Sequence, residues 1–89
     1  MTKYQVVITK PAQKQLLKLG AVIRERIAEH IGMLGNDPDN PALDIKKLTN
    51  DPEANLRLRV GNYRVKFNRD NGIRIVEIVR IGHRKEIYK

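Results

Sequence analysis

The chain has 89 residues, with 18 Lys and Arg against 10 Asp and Glu, a formal net charge of +8, and neither Cys nor Trp. That length supports one domain with a modest core, and the lack of cysteine excludes a disulfide framework and any thiolate metal site. No apolar run approaches the ~20 residues of a membrane span, and Met1-Thr2-Lys3-Tyr4 lacks a signal-peptide apolar region, which predicts a soluble cytoplasmic protein without membrane contact.

No repeat, low-complexity tract or linker interrupts residues 1–89, which read as a single domain. Residues 3–8 are rich in β-branched and aromatic types and predict a short strand. Thr9 then reads as an N-cap and Pro11 as an early helical position. Ala12, Leu16 and Leu19 recur at helical spacing, and Gly20 is expected to stop this first helix. A second helix follows, with Ile23, Ile27, Ile31 and Leu34 as its apolar stripe and Gly35 as its C-terminal stop; Arg24, Glu25, Arg26 and Glu29 take the wet side. Two helices joined so tightly predict a helical hairpin lying on a sheet. Residues 36–44 hold two prolines and three acids and read as a surface loop, with a brief extended piece over Ile45 to Leu48.

The last third is patterned for strands. Leu56, Leu58 and Val60 alternate with Arg57 and Arg59, and Tyr63, Val65 and Phe67 alternate with Arg64 and Lys66. Gly61-Asn62 between them predicts a two-residue hairpin turn of type II′ or I′. Asn71-Gly72 predicts a second hairpin turn, and Ile73 to Ile81 a long interior strand, apolar on both faces. The expected class is α+β: an N-terminal strand, a two-helix hairpin, then an antiparallel β-meander packed on the helices.

Charge is distributed unevenly along this plan. Residues 1–20 carry four Lys and no acid, a net of +4; residues 21–54 carry four bases and seven acids, a net of −3; residues 55–89 carry ten bases and three acids, a net of +7. A polyanionic partner, most simply nucleic acid, suits such an excess. The Gly61-Asn62 turn sets Val60 opposite Tyr63, Arg59 opposite Arg64, Leu58 opposite Val65 and Arg57 opposite Lys66. Arg57, Arg59, Arg64 and Lys66 therefore project from one face, while Leu56, Leu58, Val60, Tyr63, Val65 and Phe67 form the core side. Like charges opposed across strands destabilise a hairpin, so stability does not explain them, whereas a face that binds phosphates does. The bland alternative is that the long stems splay into water or pair with acids elsewhere; a two-residue turn at Asn71-Gly72 would set Glu77 opposite Lys66.

The chain ends in Ile81-Gly82-His83-Arg84-Lys85-Glu86-Ile87-Tyr88-Lys89. A bend at Gly82 would swing His83, Arg84 and Tyr88 towards the basic face, where His83 suits proton transfer and Tyr88 suits stacking on a base. Other chemistries fit poorly. His30 and His83 lack metal-site spacing, and there is neither a Gly-rich phosphate loop nor a G-x-S-x-G elbow.

The order strand, two helices, β-meander resembles the RelE/ParE superfamily of bacterial and archaeal toxins. So do Leu58-Arg59-Val60-Gly61-Asn62-Tyr63-Arg64-Val65 and the ending Gly82-His83-Arg84-Lys85-Glu86-Ile87-Tyr88, which resemble its RelE side over nearly the whole chain. The resemblance implies the toxin of a toxin–antitoxin pair, an endoribonuclease cutting mRNA in the ribosomal A site without metal or cofactor. The 2′-hydroxyl attacks the adjacent phosphate, a basic residue takes its proton, arginines stabilise the phosphorane, and another cation protonates the leaving 5′-oxygen.

Carried over by motif, Arg64 resembles the phosphate-clamping arginine, Arg84 the C-terminal arginine that acts as general acid or phosphate ligand, and Tyr88 the terminal tyrosine that orients the substrate. Arg57 falls where better-studied ribosomal nucleases have a lysine, and Asn55 meets a second family lysine. The general base is therefore open among His83, Lys85 and Lys66, since an arginine with a pKa above ~12 is a poor base. Arg59, Lys66 and Lys85 are expected at RNA phosphates. Implied partners are a cognate antitoxin with an acidic or amphipathic segment and the ribosome with mRNA in its A site, reached through rRNA contacts of the basic face, with DNA met only through the antitoxin complex. Two other readings keep the fold: a ParE-like DNA gyrase inhibitor without nuclease activity, and a non-catalytic basic nucleic-acid-binding module.

Overall fold

The computed structural model describes residues 3–87. The elements run β1 (Gln5–Ile8), α1 (Lys10–Leu17), α2 (Ala21–Asn36), β2 (Asp44–Lys47), β3 (Leu56–Val60), β4 (Tyr63–Asp70) and β5 (Ile75–His83). Thr9 caps α1 as its residue type predicts, its Oγ1 accepting the Ala12 N–H at 3.4 Å, with Pro11 in the first turn.

Both glycines expected as helix stops do something else. The first helix ends at Leu17 with Lys18 as its C-cap, and Gly20, at φ −60° and ψ 153°, is the extended N-cap of α2. The second helix runs past Gly35 to Asn36. A Cβ at Gly35 would lie 2.6 Å from Cγ2 of Val6, and the Gly35 carbonyl accepts the Tyr4 N–H at 2.7 Å. Gly35 is thus the point of close approach between α2 and the first strand.

The strands form one mixed sheet in the order β1-β5-β4-β3-β2. From β2 to β5 it is the expected antiparallel meander. The first strand closes the other edge by pairing parallel to β5, with Val6 beside Val76 and Ile8 beside Ile78. Ala12, Ile27, Ile31 and Leu34 from the helices meet Leu58, Val65, Phe67, Val76 and Ile78 in one core cluster. The Gln15 side-chain oxygen accepts the Ile81 N–H at 2.8 Å and fastens α1 to β5.

The β3–β4 register is the predicted one, with Arg59 opposite Arg64 and Arg57 opposite Lys66. Gly61 has φ 58° and is the turn's positive-φ residue, the mark of a type II′ turn. The second hairpin departs from expectation. Asp70 Oδ1 accepts the N–H groups of Gly72 (2.9 Å) and Ile73 (3.2 Å), Arg74 takes φ 54°, and Asp70 pairs with Ile75 across a four-residue loop. An irregularity between Lys66 and Phe67 shifts the pairing again. Glu77 consequently faces Asn68, and Lys66 faces Arg80. The last strand is interior, but only Val76, Ile78 and Ile81 are buried; Ile75 and Val79 are half-buried and Glu77 is exposed.

Gly35→Ala forces its new methyl into Val6 and is expected to destabilise by about 1–3 kcal/mol. Gly32→Ala, with nothing within 4 Å of its Cβ, is expected to stabilise by about 0.5–1 kcal/mol through helix propensity. Thermal unfolding separates the two, since each kcal/mol moves the midpoint by roughly 4–8 °C in a domain of this size.

Candidate functional site

With the helices on one face, the register turns the charged residues of the central strands to the other. Lys46, Arg57, Lys66 and Arg80 are directly opposed from strand to strand, so one cation from each of β2, β3, β4 and β5 forms a row across the sheet. Arg59 and Arg64 form a second, shorter row beside it. Four of these six were expected from the hairpin. Lys46 needed the β2–β3 register and Arg80 needed the shift in β4–β5, neither of which has a local sequence signal.

Such crowding of like charge is relieved by three acids. Asp44 Oδ1 lies 3.1 Å from Arg57 Nη1, and Asp44 Oδ2 lies 3.9 Å from Arg59. Asp51 Oδ2 lies 2.7 Å from Lys66 Nζ, with both side chains largely covered at 6% and 11% exposure. Glu53 accepts from Arg80 Nε at 2.7 Å and from its Nη2, and stands 3.9 Å from Lys66. The pairing alternative is therefore realised for Lys66, with Asp51 in place of the expected Glu77.

Asp51 and Glu53 are aimed by their loop. Leu48 N–H donates to the Asn55 carbonyl at 2.9 Å, and Asp51 Oδ1 accepts the N–H groups of Glu53 and Ala54 at 2.9 and 3.1 Å. Asn68 holds the loop down, donating to the Glu53 carbonyl and accepting the Asn55 N–H, each at 3.0 Å. Asn55 thus contributes its backbone to the loop's anchorage. The Lys66 ammonium holds the Asp51 carboxyl below the usual carboxylate range, and Arg80 does the same for Glu53.

The chain does not bend at Gly82, which stays in β5 opposite Arg64; the turn follows His83, over residues 84–87. Glu86 and Ile87 N–H groups donate to the His83 carbonyl at 2.9 and 3.0 Å, and Ile87 packs on Gly82, where an added Cβ would meet it at 3.8 Å. Arg84 N–H donates to the Asn62 carbonyl at 2.8 Å, tying this turn to the hairpin tip. His83 lies opposite Tyr63 in the sheet, the rings edge to face with centroids 5.3 Å apart. His83 Nδ1 takes the Lys85 N–H at 3.1 Å, which assigns the proton of the neutral ring to Nε2. Arg64 is opposite Gly82, and its Nη1 donates to the carbonyls of Gly61 (2.9 Å) and Tyr63 (3.0 Å). The register puts His83 on the Tyr63 side of the sheet, towards α1, and Arg64 on the cationic side, so His83 does not swing towards the basic face as expected. Arg84 and Lys85 are exposed beside the hairpin tip. Tyr88 lies outside the described residues.

A groove of about 430 Å³ next to His83 is lined by Gln15, Lys18, Tyr63, His83 and Glu86. No group of three or more His, Asp and Glu among the described residues is arranged to hold a metal ion.

Asp51→Asn removes the nearer carboxylate from covered Lys66, leaving Glu53 at 3.9 Å, and is expected to cost about 2 kcal/mol near pH 7. Because the folded protein lowers the Asp51 pKa, its stabilisation is present above the unfolded value near 4 and is lost as pH falls through the folded value. The gap between wild type and variant in urea unfolding should therefore narrow below about pH 4.

The geometry finds company among known proteins. Residues 6–88 match the family model of the ParE toxin of the type II toxin–antitoxin system parDE. Toxin RelE of Mycobacterium tuberculosis (strain ATCC 25618 / H37Rv) is 36% identical over 87 residues, spanning 97% of this chain and 87% of that protein. Among solved structures, the archaeal RelE–RelB complex from Pyrococcus horikoshii OT3 superposes with TM-score 0.78 at 27% identity, over 97% of this chain and 99% of its match. The RelB–RelE antitoxin–toxin complex of Methanococcus jannaschii gives TM-score 0.73 at 32% identity, over 92% and 94% of the two chains. With the fold, the hairpin motif and these matches in agreement, the chain belongs to the RelE/ParE superfamily of toxins of type II toxin–antitoxin systems.

Proposed function

We propose that this toxin is a ribosome-dependent endoribonuclease that cuts mRNA in the A site and so stops translation. The observation that carries the reading is the cationic face of the sheet, with Arg64 at its hairpin tip and the Arg84 backbone tied to that tip through Asn62. Cleavage proceeds by attack of the 2′-oxygen on the adjacent phosphorus. The P–O5′ bond breaks, and the products are a 2′,3′-cyclic phosphate and a 5′-hydroxyl. Negative charge grows on the phosphoryl oxygens on the way, and fixed guanidinium groups stabilise it without a metal.

Arg64 and Arg84 bind these oxygens. The Arg64 guanidinium rests on two turn carbonyls, neutral partners that it exchanges for a phosphate more readily than it would a carboxylate. For His83 to take a proton its Nδ1, the lone-pair nitrogen of the neutral ring, must first release the Lys85 amide and the ring must turn from Tyr63. Tyr88 orients the base, and Arg57, Arg59 and Lys85 extend the phosphate track. Lys66 contributes mainly through its field, because a phosphate approaching its Nζ meets Asp51 first. The partner off the ribosome is a cognate antitoxin whose acidic or amphipathic segment covers this face; the RelE relatives solved with RelB support that partner.

In a translation extract, purified protein should cut mRNA only when ribosomes are present. Arg64→Ala and Arg84→Ala should each lower the cleavage rate by about a hundredfold or more with unchanged thermal unfolding. Wild-type rates in both variants would overturn the site assignment. The ParE description of the family model favours gyrase as the second reading, and intact mRNA together with impaired DNA supercoiling would establish it.

A further inference from the structure

The sheet face takes five of the ten bases of residues 55–89 and leaves the basic excess of the first twenty residues unexplained. Lys10, Lys14 and Lys18 follow one another at i, i+4 and i+8 along α1 and its C-cap. At about 100° per residue they turn roughly 120–160° away from Ala12, which is fully buried against the sheet. All three are exposed, and together they cover about 12 Å of helix axis. The first acid of the chain is Glu25, and none of the three has an ion-pair partner among the described residues.

As a helix this arrangement is unfavourable at its start: like charges four residues apart repel, and Lys10 sits at the positive end of the helix dipole. No acid in the first turn offsets it. Lys14 in the last turn and Lys18 at the C-cap, by contrast, suit the dipole's negative end. The helix is nevertheless held firmly: Gln13 donates to the Ile8 carbonyl at 2.7 Å, and Gln15 accepts from Ile81 at 2.8 Å. Lys18 also lines the groove beside His83, so the stripe ends at the rim of the candidate site.

We infer that this outer face of α1 is a second RNA-phosphate contact, separate from the cleavage face, which grips the backbone of ribosomal RNA while mRNA lies on the sheet. Three ammonium groups in line on a fixed rod match closely spaced phosphates and read no sequence. The inference rests on the proposed ribosomal function for the identity of the RNA. Two cationic faces, one on the sheet and one on the helix layer, let the protein bridge two RNA segments, with Lys18 nearest the point where they meet.

The test is equilibrium binding of the full chain to purified mRNA-programmed ribosomes over a series of KCl concentrations. Each phosphate that a lysine neutralises adds about 0.7–0.9 to the steepness of log affinity against log salt, so Lys10→Gln/Lys14→Gln/Lys18→Gln should flatten the slope by about 2–3. Affinity at low salt should fall at least tenfold, and circular dichroism should show the fold retained. Lys3→Gln/Arg74→Gln, which removes exposed charge from neither face, controls for net charge alone. An unchanged slope in the triple variant, or an equal loss in the control, overturns the inference, as does a wild type that fails to bind ribosomes. Intact ribosome binding with weakened antitoxin binding would assign the face to an acidic protein. A wild type that binds ribosomes with the steep slope and leaves mRNA intact would overturn the nuclease reading and leave the α1 contact standing.

Discussion

Alternation along the β3–β4 hairpin, locked in phase by the turn at Gly61, governs both sides of this molecule. A slip of one residue would exchange Leu58 and Val65 with Arg59 and Arg64, opening the core and burying guanidinium groups together. The positive φ at Gly61 suits a two-residue turn whose twist matches the strands, and the core cluster takes Leu58, Val60, Val65 and Phe67 in the register it sets. The helices then need only cover the apolar side, and the other side becomes cationic as a by-product of the same phase.

That by-product has to be contained. Cations opposed across four strands repel, and the fold answers with carboxylates from outside the central hairpin: Asp44 from the edge strand, and Asp51 and Glu53 from the loop over the face. Quenching is graded. Lys66 is covered and matched, Arg80 is held in a fork, Arg57 shares Asp44 with a more distant Arg59, and among the described residues Arg64 bonds to backbone carbonyls alone. Charge availability therefore rises from the loop towards the hairpin tip, where His83 and the terminal turn lie. A covered ion pair at Lys66 and a guanidinium resting on carbonyls at Arg64 thus occur on one surface two residues apart, so a count of bases overstates the charge that the face leaves unneutralised.

Legibility in the sequence followed the range of the interactions. The hairpin register, the Thr9 cap and the apolar stripe of α2 depend on neighbours, and residue types alone reveal them. The Asn71-Gly72 signal misled because Asp70 caps the loop and draws two more residues into it. Lys66 was placed on the correct face with the wrong partner, since Asp51 reaches it through a loop shaped by its own Asx-type bonds. Gly35 looked like a helix stop because proximity to Val6, almost thirty positions earlier, leaves no local trace. The outward placement of Arg64 was legible from alternation, while the seating of His83 beside Tyr63 and the coverage of Lys66 came only with coordinates.

The parallel seating of β1 against β5 bears on how the chain reaches this state. These strands stand at opposite ends of the sequence, with Val6 beside Val76. Until β5 is in place, β1 has no strand to pair with, and Gln15 has no Ile81 amide to fasten α1. The β3–β4 hairpin closes over two residues, whereas the helix layer waits for a loop spanning most of the chain, the kind of non-local closure that slows folding. The basic hairpin is thus the natural first-formed piece, and the strand that carries His83 completes the sheet and secures the helices.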